Sequence, residues 1–232
     1  MEIAGLTKLT LLDFPGKVAC TVFTAGCNFR CPFCHNSSLV LPDRWPKFPE
    51  EEVLQFLKKR AGILDGVAIS GGEPLLHPDL GDFLKKVREL GYLVKLDTNG
   101  SFPERLQKLV EAGTVNKVAM DIKHRPEKYA SAVGIPGFDL GPVKESVAWL
   151  LEEPVDYEFR TTVVKGLHEP GDLAAAAQWI GGAKAYFLQQ YKNSGEILRE
   201  EGLSAYNEKE MHAFVAEAAP WVRQVELRGV EQ

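Results

Sequence analysis

Three of the chain's four cysteines fall within one short stretch, Cys27-Asn28-Phe29-Arg30-Cys31-Pro32-Phe33-Cys34. Spacings of four and then three residues let one loop curl its thiolates around a common centre. Three soft sulfur donors suit an iron–sulfur cluster or a zinc ion. A four-iron cluster held by only three thiolates keeps one iron open to another molecule, much as a catalytic metal keeps an open position. The alternative is a structural zinc knuckle completed by His35 or Cys20. His35 directly follows Cys34, whereas zinc ribbons and fingers draw paired ligands from two places, and no second C-x₂-C or H-x₃-H pair lies downstream. Cys20 sits inside the apolar run Lys17–Thr24, where a cysteine behaves as a small hydrophobe. The spacing favours a cluster over zinc.

The elements that must position this loop alternate. An extended piece at Leu9–Gly16 closes on a Pro-Gly turn, and a strand at Lys17–Thr24 delivers the chain into the cysteines. Pro42, Pro46 and Pro49 then punctuate a loop, and Pro49-Glu50-Glu51-Glu52 opens a helix with acids at its positive end. Strands are expected at Gly66–Ser70, Tyr92–Asp97, Asn116–Lys123, Asp156–Val164 and Ala185–Gln190. The intervening helices are expected at Asp79–Leu90, Pro103–Ala112, Gly141–Leu151 and Asp172–Ile180. A helix at Asn207–Ala219 and a strand at Val222–Leu227 finish the chain. About six strand–helix units with short loops mean a parallel sheet, because each helix supplies the long crossover that parallel strands require. Right-handed crossovers curl such a sheet, and six units fall short of the eight of a closed barrel. The expectation is an α/β fold, a partial (β/α)₆ barrel in a single domain over 1–232. Its core spans about 17–191, with 203–228 as an extension.

In parallel α/β folds the loops after the strands form the ligand face. Here those loops carry, in turn, the cysteines, Gly71-Gly72-Glu73-Pro74, Asp97-Thr98-Asn99-Gly100, Asp121 with Lys123, Arg160, and Gln189-Gln190-Tyr191. Each also has a plain structural reading. Gly-Gly is a tight turn, Asp97–Gly100 is an Asx-type cap, and Asp121 with Lys123 is an ion pair on one strand face. Their serial position makes the rim a candidate active site. His77, His124, His168 and His212 receive no role.

Cys27-x₃-Cys31-x₂-Cys34, with aromatic Phe33 before the last cysteine, resembles the signature of the radical S-adenosylmethionine (SAM) superfamily, and Gly71-Gly72-Glu73-Pro74 resembles its GGE motif. Within it, Thr10–Gly16, Phe23–Arg30, Cys34-His35-Asn36, Asp97–Gly100 and Asp121-Ile122-Lys123 are similar to the glycyl-radical-enzyme activating enzymes. Anaerobic ribonucleoside-triphosphate reductase activating proteins and pyruvate formate-lyase activating enzymes are the related groups. The resemblance implies a [4Fe–4S] cluster on Cys27, Cys31 and Cys34, with SAM chelating the fourth iron. It also implies reduction by flavodoxin or ferredoxin, and a 5′-deoxyadenosyl radical that takes hydrogen from a glycine of a partner enzyme. Glu73 would accept from the methionine ammonium, with Gly71 and Gly72 offering backbone contacts and Lys123 meeting the carboxylate. Asn99 and Asp97 would hold ribose hydroxyls or help shape a cation site, and Asp121 would belong to the cofactor-binding residues. Phe33 would lie against adenine and Arg160 near the nucleoside or carboxylate. Relatives place a histidine on the sixth strand where this chain has Gln189, Gln190 and Tyr191. The alternatives are a compact enzyme acting on a small molecule, of the 7-carboxy-7-deazaguanine synthase kind, and a zinc-stabilised binding module.

Bulk composition narrows the classes. At 232 residues, 45% apolar and 25% charged, the chain suits a globular domain with one sizeable core. No run approaches a membrane span, and a net charge of −5 without a basic run argues against nucleic acid. The first residues lack a charged start followed by an apolar segment, so the cytoplasm is expected.

Overall fold

A computed structural model describes residues 1–41, 45–193, 195, 197–199 and 201–229. Pro42 lies outside them. The short apolar runs read from the sequence become strands that follow one another in chain order, β1 to β8, as one eight-stranded sheet. By contacts the chain divides into two compact units.

The first unit holds Met1–Asn28, Ser38–Ala119 and Pro154–Asp156. Its strands are β1 (Ile3–Thr10), β2 (Ala19–Thr24), β3 (Gly66–Gly71) and β4 (Leu93–Thr98). Parallel pairing sets Val22 beside Ile69 and Ile69 beside Leu96, and only β1 runs antiparallel, against β2. Those side chains are fully buried, as are Leu57 of α2 (Glu50–Lys59), Phe83 and Val87 of α3 (Leu80–Glu89), and Leu106 of α4 (Pro103–Glu111). Acids fill the first turn of α2 and lysines its last, as the helix dipole favours. A short helix α1 (Ser37–Val40) follows the cysteine loop.

The amino-terminal reading needs one correction. The extended piece expected at Leu9–Gly16 is a strand at Ile3–Thr10 followed by turns from Leu11 to Lys17. Thr10 stops the strand: its hydroxyl accepts from the Leu12 and Asp13 N–H groups, each at 3.2 Å. The Phe14 ring then seats on Gly66, where a Cβ would come within 2.8 Å of it.

The second unit holds Phe29–Ser37, Met120–Glu153 and Tyr157–Gln232. β5 (Lys117–Asp121) begins in the first unit and ends here, so the cysteine loop and β5 are both shared between units. The strands β6 (Asp156–Val163), β7 (Tyr186–Gln190) and β8 (Val225–Arg228) pair in parallel. Helices α5 (Tyr129–Val133), α6 (Gly141–Leu151), α7 (Asp172–Trp179) and α8 (Glu208–Ala218) complete it. Asn207 and Glu210 cap α8 reciprocally, at 2.9 and 2.8 Å. At the far edge Arg228 forks onto buried Glu158, at 2.6 and 3.2 Å, with its guanidinium 3.3 Å from the Phe187 ring centroid. The stretch between the expected strand Asn116–Lys123 and the expected helix Gly141–Leu151 contains α5, whose five residues are too few to show a period in the sequence. Strand β5 stops at Asp121, so Lys123 sits just past it in the loop.

The fold is α/β, mostly parallel, with the antiparallel β1 and the short β8 at the two ends of the sheet. Among the described residues no helix is long and apolar enough to cross a membrane.

Candidate functional site

In the first unit the candidate residues gather where β2, β3 and β4 end. Gly71 and Gly72 lie against the backbone that leads into Cys27. A Cβ on Gly72 would stand 1.8 Å from the Gly26 carbonyl oxygen, and one on Gly71 2.4 Å from the Thr24 backbone. Only glycine permits that approach, and Gly71 also has φ +118. The gap is spanned by main-chain bonds: Gly72 N–H donates to Thr24 at 3.0 Å and Glu73 N–H to Gly26 at 2.8 Å. The turn after β3 therefore fixes the backbone from which Cys27 projects.

Glu73 is wholly buried. Its Oε1 accepts from Leu75 N–H at 3.0 Å and Thr98 Oγ1 at 2.8 Å, and its Oε2 from Asn99 N–H at 2.7 Å. A buried carboxylate costs several kcal/mol unless its lone pairs are met, and these three donors meet most of its roughly four acceptor positions. The Asn99 side chain turns toward the cysteine loop. Its Nδ2 donates to Asn28 Oδ1 at 2.9 Å, while Asn28 Nδ2 donates to Ser101 Oγ at 2.8 Å. Asp97 is paired with buried Lys95, two residues earlier on the same strand face.

In the second unit Asp121, Lys123 and Arg160 form one charged group. Lys123 Nζ donates to Asp121 Oδ2 at 2.9 Å and Arg160 Nε to Asp121 Oδ1 at 3.0 Å. Burial alone would push the Asp121 carboxyl up, but the Arg160 and Lys123 cations outweigh it and hold it at about 2. Burial likewise works against the Lys123 charge, yet the Asp121 carboxylate and then Cys31 raise its pKa above the usual lysine range. Phe33 is buried, with Lys123 Nζ 5.9 Å from its ring centroid. Cys34 N–H donates to the Cys31 carbonyl at 3.1 Å, closing a tight turn between the two cysteines. Burial pushes the Cys34 thiol up, and the Asn36 backbone, Lys123 and Arg30 offset only part of it.

None of the four cysteines is in a disulfide. Among the described residues no three His, Cys, Asp or Glu side chains stand grouped to hold a metal ion. The chemistry of the donors nevertheless fits an iron–sulfur cluster. Three thiols share one loop, Cys31 is nearly buried, and a permanently charged lysine lies close enough to Cys31 to feel its charge. Cys20 is fully buried in β2, and burial pushes its thiol up to about 12, so it is no fourth ligand.

A mostly parallel α/β sheet whose first parallel strand feeds a C-x₃-C-x₂-C loop puts three thiolate ligands at the strand ends, where α/β enzymes bind their ligands. The sequence profile of the Radical SAM superfamily matches residues 21–180. The chain belongs to the radical SAM superfamily, whose enzymes use a [4Fe–4S] cluster and SAM. It is 30% identical, over 197 residues, to a candidate glycyl-radical enzyme activating enzyme of Methanocaldococcus jannaschii, covering 82% of this chain and 80% of that one. A pyruvate formate-lyase-activating enzyme of Clostridium pasteurianum is 33% identical over 151 residues, 60% of each chain. Among solved structures, a domain of a pyruvate-formate lyase-activating enzyme from Bacteroides vulgatus shares the fold. It has a TM-score of 0.57 and 17% identity, over 71% of this chain and 99% of that domain. The protein is a radical SAM enzyme similar to glycyl-radical enzyme activating enzymes.

Sequence reasoning missed four participants. Lys95 was legible: in Leu93-Val94-Lys95-Leu96-Asp97 it alternates with Asp97, and a lysine in a buried strand needs a partner. Asn28, inside the cysteine loop, gave no signal apart from its position. His124 and His168 receive no role from the sequence, yet their rings stack at 4.7 Å in the second unit.

Proposed function

We propose that this chain is an activating enzyme that generates a glycyl radical on a partner protein, most specifically an anaerobic ribonucleoside-triphosphate reductase. The observation that carries the reading is the similarity to a candidate activating enzyme running through four-fifths of both chains. Cys27, Cys31 and Cys34 hold the cluster, and flavodoxin or ferredoxin reduces it. When bound, the cluster and SAM together supply a one-electron reductive cleavage whose outcome is hydrogen abstraction from the partner's glycine. The chain's own residues do the positioning. Gly71 and Gly72 present backbone groups to the amino-acid end of SAM, with Glu73 bracing their turn and receiving the ammonium. Lys123, held against Asp121, offers a fixed cation to the carboxylate. Asn99 and Asp97 meet the ribose, Phe33 flanks the adenine, and Arg160 orients Asp121 beside the nucleoside. Lys95 already balances Asp97, which supports a ribose contact over a bound metal cation at that carboxylate.

The enzyme works in the cytoplasm as one domain, without nucleic acid or membrane. Three reduced, metal-binding thiols and an electron-transfer partner suit that compartment. The test is anaerobic: the reconstituted protein, SAM, a reductant and an anaerobic reductase are mixed, and a glycyl radical is sought by electron paramagnetic resonance. A glycine-centred doublet is expected. SAM cleavage with no radical on any glycyl-radical partner would replace this reading with a small-molecule enzyme, and stoichiometric zinc without sulfide would remove the cluster.

A further inference from the structure

We propose that His168 is a positioning residue for Lys123, acting with His124 as a reciprocal clasp between two loops of the second unit. The inference rests on the reading of Lys123 as the contact for the SAM carboxylate. The first loop follows β5 and contains Lys123 and His124; the second follows β6 and contains Leu167 and His168. His168 Nε2 lies 3.1 Å from the Lys123 carbonyl oxygen, and His124 Nε2 lies 3.1 Å from the Leu167 carbonyl oxygen. Each ring thus grips the carbonyl of the residue that precedes the other histidine. The rings lie nearly parallel, 13° apart with centroids 4.7 Å apart.

The hydrogen bonds at the other ring nitrogens decide the proton positions. His168 Nδ1 accepts from Val164 N–H at 3.1 Å, and His124 Nδ1 from Arg125 N–H at 2.8 Å. A nitrogen that accepts carries no proton, so both neutral rings are Nε2–H tautomers, and both Nε2 atoms donate. The groups facing the pair agree with neutrality. Asp172 Oδ2 is 3.5 Å from His124 Nε2, but Asp172 is already matched by Lys128 Nζ at 3.0 Å, Arg125 Nε at 3.0 Å and the Glu169 N–H at 2.9 Å. Glu169 itself pairs with Lys128, and the Tyr206 hydroxyl donates to the His168 carbonyl at 2.5 Å. The two rings are wholly buried.

The peptide that enters Lys123 is already held from β6, Thr161 Oγ1 donating to the Ile122 carbonyl at 2.6 Å and Ile122 N–H to the Arg160 carbonyl at 2.7 Å, so what remains to be fixed at Lys123 is the peptide that leaves it. The Lys123 N–H reaches the Tyr129 hydroxyl only at 3.4 Å, while the lysine side chain is committed to Asp121. Lys123 lies past the end of β5, outside the sheet ladder. The His168 bond holds the peptide that leaves Lys123, and together with the Thr161 bond before it fixes the backbone from which the ammonium reaches Asp121.

Two measurements on the full chain test this. In ¹⁵N-histidine spectra near neutral pH, both buried rings should show the neutral Nε2–H pattern; an Nδ1–H pattern for His168 overturns the inference. In the reconstituted enzyme, His168→Phe keeps the stacked ring but neither hydrogen bond. It should raise KM for SAM about tenfold with kcat within about twofold. His168→Gln, whose amide can donate toward the same carbonyl, should recover most of the loss. A folded His168→Phe protein with unchanged KM overturns the positioning role. Lys123→Met separates this from the parent reading. If it too leaves KM unchanged, the assignment of Lys123 fails; if it raises KM while His168→Phe does not, the clasp alone fails.

Discussion

Glu73 Oε2 accepts the Asn99 main-chain N–H at 2.7 Å, tying the turn after β3 to the turn after β4. Its other oxygen holds Thr98 and Leu75, so one buried carboxylate organises two ligand-facing loops that lie 26 residues apart in the chain. Replacing it with glutamine turns one acceptor into a donor that faces other donors. Glu73→Gln is expected to destabilise the protein by about 1–3 kcal/mol, seen as a lowered denaturation midpoint even without cluster. An unchanged midpoint would mean that the carboxylate does not hold the turns.

The glycine pair makes a sterner demand. Since a Cβ on Gly72 would overlap the Gly26 carbonyl, Gly72→Ala must move the backbone next to Cys27. Iron and sulfide after anaerobic reconstitution should fall well below the parent's content, with a drop in stability on the order of a few kcal/mol. Gly91→Ala serves as the control. It also has positive φ, +89, but meets nothing within 4 Å, so it should lose only the modest cost of a strained backbone and keep its cluster.

Cysteine substitutions should sort by environment. Cys20 is a buried hydrophobe whose thiol burial pushes up to about 12. Cys20→Ala should therefore retain iron and sulfide, and cost about 1 kcal/mol from the small cavity it leaves. Cys31→Ala should abolish SAM cleavage, measured as 5′-deoxyadenosine formed. Loss of the cluster in the Cys20 variant would restore a four-thiolate site.

Much of this was legible in the chain itself, for identifiable reasons. The parallel strands β2, β3 and β4 are short, largely apolar runs of six residues, and burial on both faces leaves few other ways to use such runs. The C-x₃-C-x₂-C spacing needs no tertiary information. By contrast, β1 at the sheet's antiparallel end grades from buried Ile3 and Ala4 to exposed Thr7, Lys8 and Leu9, and with no alternation to mark it as a strand the Pro-Gly turn that follows dominates the sequence reading. The Asn28–Asn99 bond joins residues 71 apart, and the His124–His168 stack joins loops 44 apart (168 − 124). No local period encodes either. The sequence could show that Asp121 and Lys123 share a face, but not that Arg160 would take the second carboxylate oxygen.

The histidine clasp also dictates how stability responds to acid. Both rings are used as neutral acceptors at Nδ1, and a protonated Nδ1 would face the Val164 or Arg125 N–H. Burial, and for His168 the neighbouring His124, pushes the pKa of that ring down to about 4 from the ordinary 6.5. Burial lowers His124 as well. The unfolded chain therefore binds protons that the folded chain refuses. Stability is fully present above about pH 6.5, falls as pH drops toward 4, and loses nothing further from His168 below that. Its contribution over this window is on the order of 3 kcal/mol. Chemical denaturation of the parent and of His168→Gln, followed from neutral pH down to about pH 4, should give curves that converge, because glutamine has no proton to gain. Parallel curves would mean that His168 is not the neutral, buried base that the geometry describes.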